Sequence, residues 1–169
     1  TGLPIEGEME AGRPSITAMG HAIMRAEHAT HHQPPIYNDP LSVELISQEI
    51  HALIETRRSE FTQATLDALN LMAVIRYRVF ADRLDLAYCR GVRQFVILGA
   101  GLDTTGFQLP KGVGSLTVFE VDHPATQEWK RQRIDEVGWE IQANLSFAPC
   151  DFERDNLLNA LSAVGFHRD

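Results

Sequence analysis

The run QFVILGAGLDTTGF, residues 94–107, constrains the fold of this chain more than any other stretch. A short apolar segment ends at Gly99-Ala100-Gly101, and an aspartate and two threonines follow. Such a segment is typical of a strand buried on both faces of a parallel sheet. The backbone N–H groups of the loop, with the dipole of a following helix, favour a polar or anionic ligand at Gly99 and Gly101. The alternative is a glycine turn that serves only strand-to-helix packing.

Strands and helices alternate after Gly91. The sequence predicts strands at Gln94–Leu98, Leu116–Val121 and Asn144–Ala148, and helices that open at His123-Pro124 and span Asp155–Val164. This alternation predicts an α/β fold with right-handed crossovers. Three strands are the first half of a doubly wound sheet, so we expect the sequence to be part of a longer domain. An intertwined dimer that completes the sheet is the alternative.

Helical patterns fill the chain before the first strand. ITAMGHAIMRAEHA has helical spacing, with Ser15 or Thr17 as a cap, and a longer helix covers about Phe61 to Tyr88. We expect the longer helix to bury a stripe made of Leu69, Met72, Ile75, Val79 and Leu86. The predicted domains are a flexible tail (1–14), an N-terminal helical extension (15–91) and the first half of a ligand-binding sheet domain (92–169).

Composition excludes several classes of function. The net charge of -8, without a cluster of lysine or arginine, argues against nucleic-acid binding. No apolar run approaches the ~20 residues that cross a bilayer. Cys89 and Cys150 lie far apart in sequence and predict reduced thiols in a cytoplasmic protein. His28, His31 and His32 have no acid or cysteine at an established ligand spacing, so no metal site is predicted.

Acidic residues follow the second and third predicted strands, where doubly wound sheets bind ligands. Thr104 stands where the dinucleotide fingerprint has its third glycine, which argues against a tightly bound pyrophosphate. Asp122 can accept hydrogen bonds from ribose hydroxyls, or it can cap the next helix. Asp151 can bind an adenine amino group beside Phe152, or it can cap a helix near Arg154. These strand ends suit an adenosine-containing ligand without a diphosphate, such as S-adenosylmethionine.

Six segments together resemble the leucine carboxyl methyltransferase family in order and spacing. They are QFVILGAGLDTTGFQL, VFEVDHPATQEWKRQRI and PCDF, preceded by SITAMGHAIMRAEH, YNDPLS and IRYRVFAD. The resemblance runs from about Ser15 to Phe166, nearly the whole chain. It implies a Rossmann-like class I methyltransferase fold with an N-terminal helical extension. Only the first half of that fold, about three parallel strands, is expected here.

The resemblance also implies S-adenosyl-L-methionine as cofactor and assigns residues to it. Arg76, or Arg78 in a shifted register, matches the arginine that pairs with the methionine carboxylate. The remaining matches are Gly99 against the cofactor, Asp122 at the ribose, and Asp151 with Phe152 near the adenine. The implied reaction is O-methylation of a carboxylate or hydroxyl on a small molecule or a protein C-terminus. No catalytic base and no oligomeric state is predicted.

Two other functional classes are compatible with the sequence. A nicotinamide-dependent oxidoreductase is disfavoured by Thr104 and by the lack of evident hydride-transfer residues, and the other class is a non-catalytic interaction module that kept the fold. Trp129 and Trp139 stand at helical positions and are expected in the core. Lys130, Arg131 and Arg133 are expected on the solvated face of the helix after Asp122.

Overall fold

Six α-helices and one three-stranded sheet make up residues 14–109 and 115–168, the part that the computed structural model describes. Helices α1 (Ile16–His31), α2 (Pro40–Leu45), α3 (Gln48–Arg58) and α4 (Gln63–Cys89) come first. They are followed by β1 (Gln94–Leu98), β2 (Thr117–Asp122), α5 (Pro124–Val137), β3 (Leu145–Pro149) and α6 (Leu157–Ala163). The predicted α/β fold with a helical extension and three strands is therefore confirmed.

The three strands are parallel and lie in the order β1-β2-β3. Leu98 pairs with Val121, and Asp122 pairs with Pro149, so the carboxyl ends of all three strands meet at one edge. Among the described residues β1 pairs only with β2, which leaves the backbone groups of its other side without a sheet partner. The glycine loop, Asp122 and Asp151 thus lie at the carboxyl ends of neighbouring strands, with Asp122 as the last residue of β2.

Apolar side chains pack on both faces of β2 and β3, because successive residues of a strand point to opposite sides. The prediction that β1 is buried on both faces is wrong, because none of its residues is fully buried and Leu98 is 58% exposed. Val118 of β2 joins a cluster that α1 and α5 complete, and Phe119 and Val121 join a second cluster with α6. The first cluster includes Met19, Ile23, Leu45, Leu102, Leu116, Ile134 and Phe147. The second includes Ala148, Cys150 and Leu161. Trp129 and Trp139 pack partly buried against the first cluster, as predicted.

Helix limits follow ordinary capping chemistry. Ser15, rather than Thr17, caps α1, because its hydroxyl accepts a hydrogen bond from the Ala18 N–H at 3.1 Å. The last helix is shorter than predicted, since Asn156 caps it and it begins at Leu157. None of the described helices has the length and apolar character that spanning a membrane requires. The domain limits stay a prediction, and residues 1–13 of the expected tail lie outside the described part.

The predicted inward stripe of α4 is wrong. Its five members are between 37% and 69% exposed: Leu69, Met72, Ile75, Val79 and Leu86. Another face of α4, which carries Leu66, Ala73, Val74 and Leu84, is buried instead, and α4 packs against α1. Apolar residues surround much of this helix, so their spacing does not reveal which stripe a neighbour covers.

Candidate functional site

A cavity of about 460 Å³ opens at the carboxyl ends of β1 and β2. Its walls come from α1, α4, the loop after β1 and the end of β2, and its volume is typical of small-molecule sites. Four of the six predicted site residues line it: Arg76, Gly99, Gly101 and Asp122. Residues from separate parts of the sequence are therefore brought together here.

The loop after β1 depends on its two glycines. Gly99 and Gly101 have φ angles of 64° and 51°, a region that glycine adopts without steric cost. A Cβ at Gly101 would lie 2.8 Å from the Cβ of Ala18, whereas a Cβ at Gly99 would meet open space. The prediction of an α-helix directly after this loop is wrong. The described residues that follow, up to 109, form turns and one 3₁₀ turn at Thr105–Phe107. Within the described chain no helix starts from this loop to supply a dipole, although the first turn of α1 lines the same cavity.

Asp122 connects β2 to the glycine loop. Its Oδ2 accepts a hydrogen bond from the Gly101 N–H at 2.5 Å, and its Oδ1 accepts one from the His123 N–H at 2.7 Å. The alternative in which Asp122 caps α5 is wrong, because His123 is the cap and its Nδ1 accepts from the Ala125 N–H at 3.2 Å. A carboxylate offers about four acceptor positions, so Asp122 retains capacity for donors from the cavity.

Arg76 lies on α4 and faces the cavity beside His21 of α1. Its Nη2 is 3.0 Å from the Nδ1 of His21. Burial and the positive charges of Arg76 and Arg25 lower the pKa of His21, so the imidazole is neutral and can accept a hydrogen bond. Arg78, the alternative in the sequence, instead binds Asp82 at 3.0 Å on the exposed side of α4.

A buried ion pair between Arg25 and Asp39 supports the glycine loop. Arg25 of α1 donates from Nε to Asp39 Oδ2 at 2.7 Å and from Nη2 to the carbonyl of Leu102 at 2.6 Å. The ring of Tyr77 lies 4.2 Å from the guanidinium carbon of Arg25. Although burial opposes it, Arg25 together with hydrogen bonds holds the pKa of Asp39 below its usual value. The pair thus anchors the loop to α1 at the backbone of Leu102.

Thr104, which stands where the dinucleotide fingerprint has its third glycine, binds Asp39 through its side chain. The hydroxyl of Thr104 is 2.8 Å from both carboxylate oxygens of Asp39, and Gln108 Nε2 donates to the same carboxylate at 2.9 Å. Ser42 donates to Asp39 from both its backbone N–H and its hydroxyl. A glycine in place of Thr104 would remove one of these donors. The sequence marked YNDPLS as a motif, but it did not indicate this network.

Lys130 is completely buried, so its predicted place on a solvated face is wrong. Its Nζ forms an ion pair with Glu120 of β2 and donates to the carbonyl of Asp103 at 2.5 Å. Burial raises the pKa of Glu120 to about 7, although Lys130 opposes the rise. Glu120 Oε1 has no hydrogen-bond partner within the described residues. Arg131 is exposed as expected, whereas Arg133 is half-buried and donates to the carbonyls of Leu45 and Glu44.

Asp151 and Phe152 follow β3 and do not line the cavity with the other four residues. Asp151 Oδ1 accepts from the Glu153 N–H at 3.0 Å, which closes a turn and does not cap α6. The side chain of Phe152 is 52% exposed. Both lie one strand further along the same sheet edge, and their place beside an adenine stays a prediction.

In the part of the chain that the structure describes, one group of possible metal ligands is present that the sequence did not indicate. Glu27, His51 and Glu55 each offer an atom within 4.8 Å of the others. The guanidinium of Arg58 forms ion pairs with Glu27 at 2.5 Å and Glu55 at 3.0 Å. A cation is thus already bound between these two carboxylates, which accounts for the cluster without a metal.

A parallel sheet with a glycine loop and an acid at neighbouring strand ends defines a Rossmann-like domain of the kind that binds nucleotide cofactors. A sequence profile of the family named leucine carboxyl methyltransferase matches residues 18–169. The chain belongs to this family, and the resemblance seen in its motifs is confirmed.

Several bacterial proteins are similar to this chain. A Bacillus subtilis (strain 168) protein, provisionally named S-adenosyl-L-methionine-dependent methyltransferase YktD, is 32% identical over 94% of this chain and 59% of its own length. A Mycolicibacterium smegmatis protein with a similar provisional name is 34% identical over 89% of this chain and 51% of its own. Rv3787c of Mycobacterium tuberculosis, which also has a similar provisional name, is 32% identical over 83% of this chain and 47% of its own length. The chain thus spans about half the length of these curated relatives.

Proposed function

We propose that this chain supplies the cofactor-binding half of an S-adenosyl-L-methionine-dependent O-methyltransferase. The observation that carries the proposal is the single cavity shared by Arg76, Gly99, Gly101 and Asp122. Family membership and the names of the relatives support the same cofactor. Neither the oxidoreductase nor the interaction module has a comparable observation in its favour.

The side chains around the cavity fit the chemical groups of this cofactor. Arg76 supplies a cation for the amino-acid carboxylate, and an arginine can bind a carboxylate through two parallel hydrogen bonds. Asp122 supplies acceptors for ribose hydroxyls, and Gly99 lets the ligand approach the backbone because no side chain fills the space beside it. We place the adenine beside Asp151 and Phe152, beyond the end of β3.

The bound cofactor would supply a methyl group already activated on a sulfonium. The residues of this chain then act by position: Arg76 fixes the amino-acid end of the ligand and Asp122 its ribose, and the buried Arg25–Asp39 pair holds the loop between them. Orientation of this kind accounts for a large share of catalysis when the acceptor atom lies about 3 Å from the reacting carbon. A carboxylate acceptor is ionised at neutral pH and needs no base, whereas a hydroxyl would need one.

The acceptor that we propose is a carboxylate or hydroxyl on a small molecule or a protein C-terminus. A nucleic-acid partner is disfavoured by the net charge of -8. We also propose a cytoplasmic location, which agrees with the two free cysteines, Cys89 and Cys150.

Binding of the demethylated cofactor tests the proposal directly. Titration calorimetry of the purified protein should detect binding of S-adenosylhomocysteine and no binding of NAD. Asp122→Ala should weaken the binding of S-adenosylhomocysteine by about tenfold or more, the loss expected when one charge-assisted hydrogen-bond partner is removed. The matched control is Asp82→Ala, because Asp82 pairs with Arg78 outside the cavity. This substitution should leave the binding of S-adenosylhomocysteine unchanged.

Two results would contradict this proposal. If S-adenosylhomocysteine does not bind, or NAD binds in its place, the assigned cofactor is wrong. If Asp122→Ala binds as tightly as the unaltered protein, Asp122 only holds the Gly101 backbone and does not contact the ligand. Thermal unfolding of both variants separates a loss of affinity from a loss of fold.

A further inference from the structure

We propose that His21 is a positioning residue that orients Arg76, and through it gives the cavity its preference for ligands that carry a carboxylate. This inference rests on the proposed function, because it assumes that Arg76 binds the amino-acid end of the cofactor. Neither the family match nor the relatives' names assign a role to His21. The inference is carried by the contacts of α1 with the cavity.

Helix α1 forms a wall of the cavity through one of its faces. Ala18 lies so close to Gly101 that a Cβ there would be 2.8 Å from the Cβ of Ala18. His21 follows Ala18 by three residues, and positions three apart lie on the same face of a helix. The face of α1 that packs on the glycine loop therefore also carries His21, and both residues line the cavity.

Arg76 needs an orienting partner of this kind. A free arginine side chain carries about 2 kcal/mol of rotamer entropy, so an unheld guanidinium loses affinity when a ligand fixes it. Within residues 14–109 and 115–168, the structure records no ion pair between Arg76 and a carboxylate, and the partner of its Nη2 is the Nδ1 of His21 at 3.0 Å. One hydrogen bond from Nη2 leaves other N–H groups of the guanidinium available for a ligand carboxylate.

Arg25 also lines the cavity, but it is not available to bind the carboxylate of the ligand. Arg25 is 1% exposed and is already bound to Asp39, Ser42 and the carbonyl of Leu102. His21 itself is a suitable acceptor because burial, Arg76 and Arg25 all lower its pKa and keep its ring neutral. A neutral ring whose Nδ1 accepts from Arg76 carries its proton on Nε2.

A pair of ligands that differ only at the amino-acid end tests the inference. S-adenosylhomocysteine carries the carboxylate, whereas methylthioadenosine shares the adenosine and the thioether but lacks the amino-acid group. By calorimetry, His21→Leu should weaken the binding of S-adenosylhomocysteine about threefold to tenfold, the loss of affinity expected when one hydrogen bond is removed. Methylthioadenosine should bind unchanged. His21→Asn, which places an amide oxygen near the position of Nδ1, should restore most of the loss.

The Arg76→Leu background tells whether His21 acts through Arg76. If it does, His21→Leu should cause no further loss of S-adenosylhomocysteine binding in that background. His21→Ser is the second variant, because it removes the acceptor without adding bulk, and thermal unfolding reports whether each variant is folded.

Each remaining outcome overturns the inference. Equal weakening of both ligands would mean that His21 only supports the fold of the cavity. Unchanged binding of S-adenosylhomocysteine by a folded His21→Leu or His21→Ser protein would mean that Arg76 needs no orienting partner. Failure of the unaltered protein to bind S-adenosylhomocysteine would overturn the proposed function itself, and this result is distinguishable because it precedes any substitution.

Discussion

Asp39→Ala is expected to lower the free energy of unfolding by about 3–5 kcal/mol, the cost of leaving a buried charge without its partner. Arg25 would keep its cation in the interior, where it is 1% exposed. Thr104 and Gln108 would lose the carboxylate to which they donate. Urea unfolding at neutral pH measures the difference, and Asp85→Ala on the exposed side of α4 is the matched control, expected within about 0.5 kcal/mol.

The same substitution should also weaken cofactor binding, because Arg25 and Thr104 hold the loop after β1. In Arg25→Met/Asp39→Ala the uncompensated cation is gone, so part of the stability should return. The pKa of Asp39 lies below its usual value of 3.8 in the folded protein. Its contribution is therefore present above about pH 3.8 and is lost as the pH falls further. A loss of stability below about 1 kcal/mol in Asp39→Ala would show that the pair is accessible to water.

The sheet and the glycine loop were predictable because their signals are local. The apolar run of β1 matches its observed limits, Gln94–Leu98, and the acid that ends β2 is read directly from the sequence. Gly99 and Gly101 adopt the backbone conformation that favours glycine. Where one short stretch decides the structure, the sequence is sufficient.

The network behind the loop was not predictable, because its members meet only in the folded chain. Arg25 and Leu102 are 77 residues apart, and Arg76 and His21 are 55 apart. Helical spacing also failed on α4, where it identifies apolar stripes but not which stripe a neighbouring helix covers. The same limitation explains Lys130, whose helical position suggested solvent while its partner, Glu120, lies on β2.

Lys130→Met is expected to be the second severe change, again about 3–5 kcal/mol, because it leaves Glu120 buried without its cation. The ammonium group is also the donor to the carbonyl of Asp103, next to the cavity. The matched control is Arg131→Met on the exposed side of α5, where a loss of about 1 kcal/mol or less is expected from the contact of its guanidinium with the Phe147 ring at 5.5 Å. Chemical unfolding of the two variants side by side measures the difference.

The loss in Lys130→Met should grow with pH, which distinguishes an unpaired carboxylate from lost packing. Burial raises the pKa of Glu120 to about 7 even beside Lys130, and the value should be higher without it. Between pH 4.5 and about 7, both folded proteins hold a proton on Glu120 that the unfolded chain has released, so their stabilities fall together as the pH rises. Above about pH 7 the unaltered protein has released this proton and the variant still holds it, so the loss in the variant grows there by up to about 1.4 kcal/mol per pH unit.

The variant should consequently lie closer to the unaltered protein at pH 5 than at pH 8. Glu120→Met/Lys130→Met should lose this pH dependence and recover most of the stability, since an apolar pair of similar size replaces the two charges. The recovery should be incomplete, because the Asp103 carbonyl still lacks its donor. A pH-independent loss that the double variant does not relieve would mean that Lys130 stabilises the fold by packing alone and does not affect the protonation of Glu120.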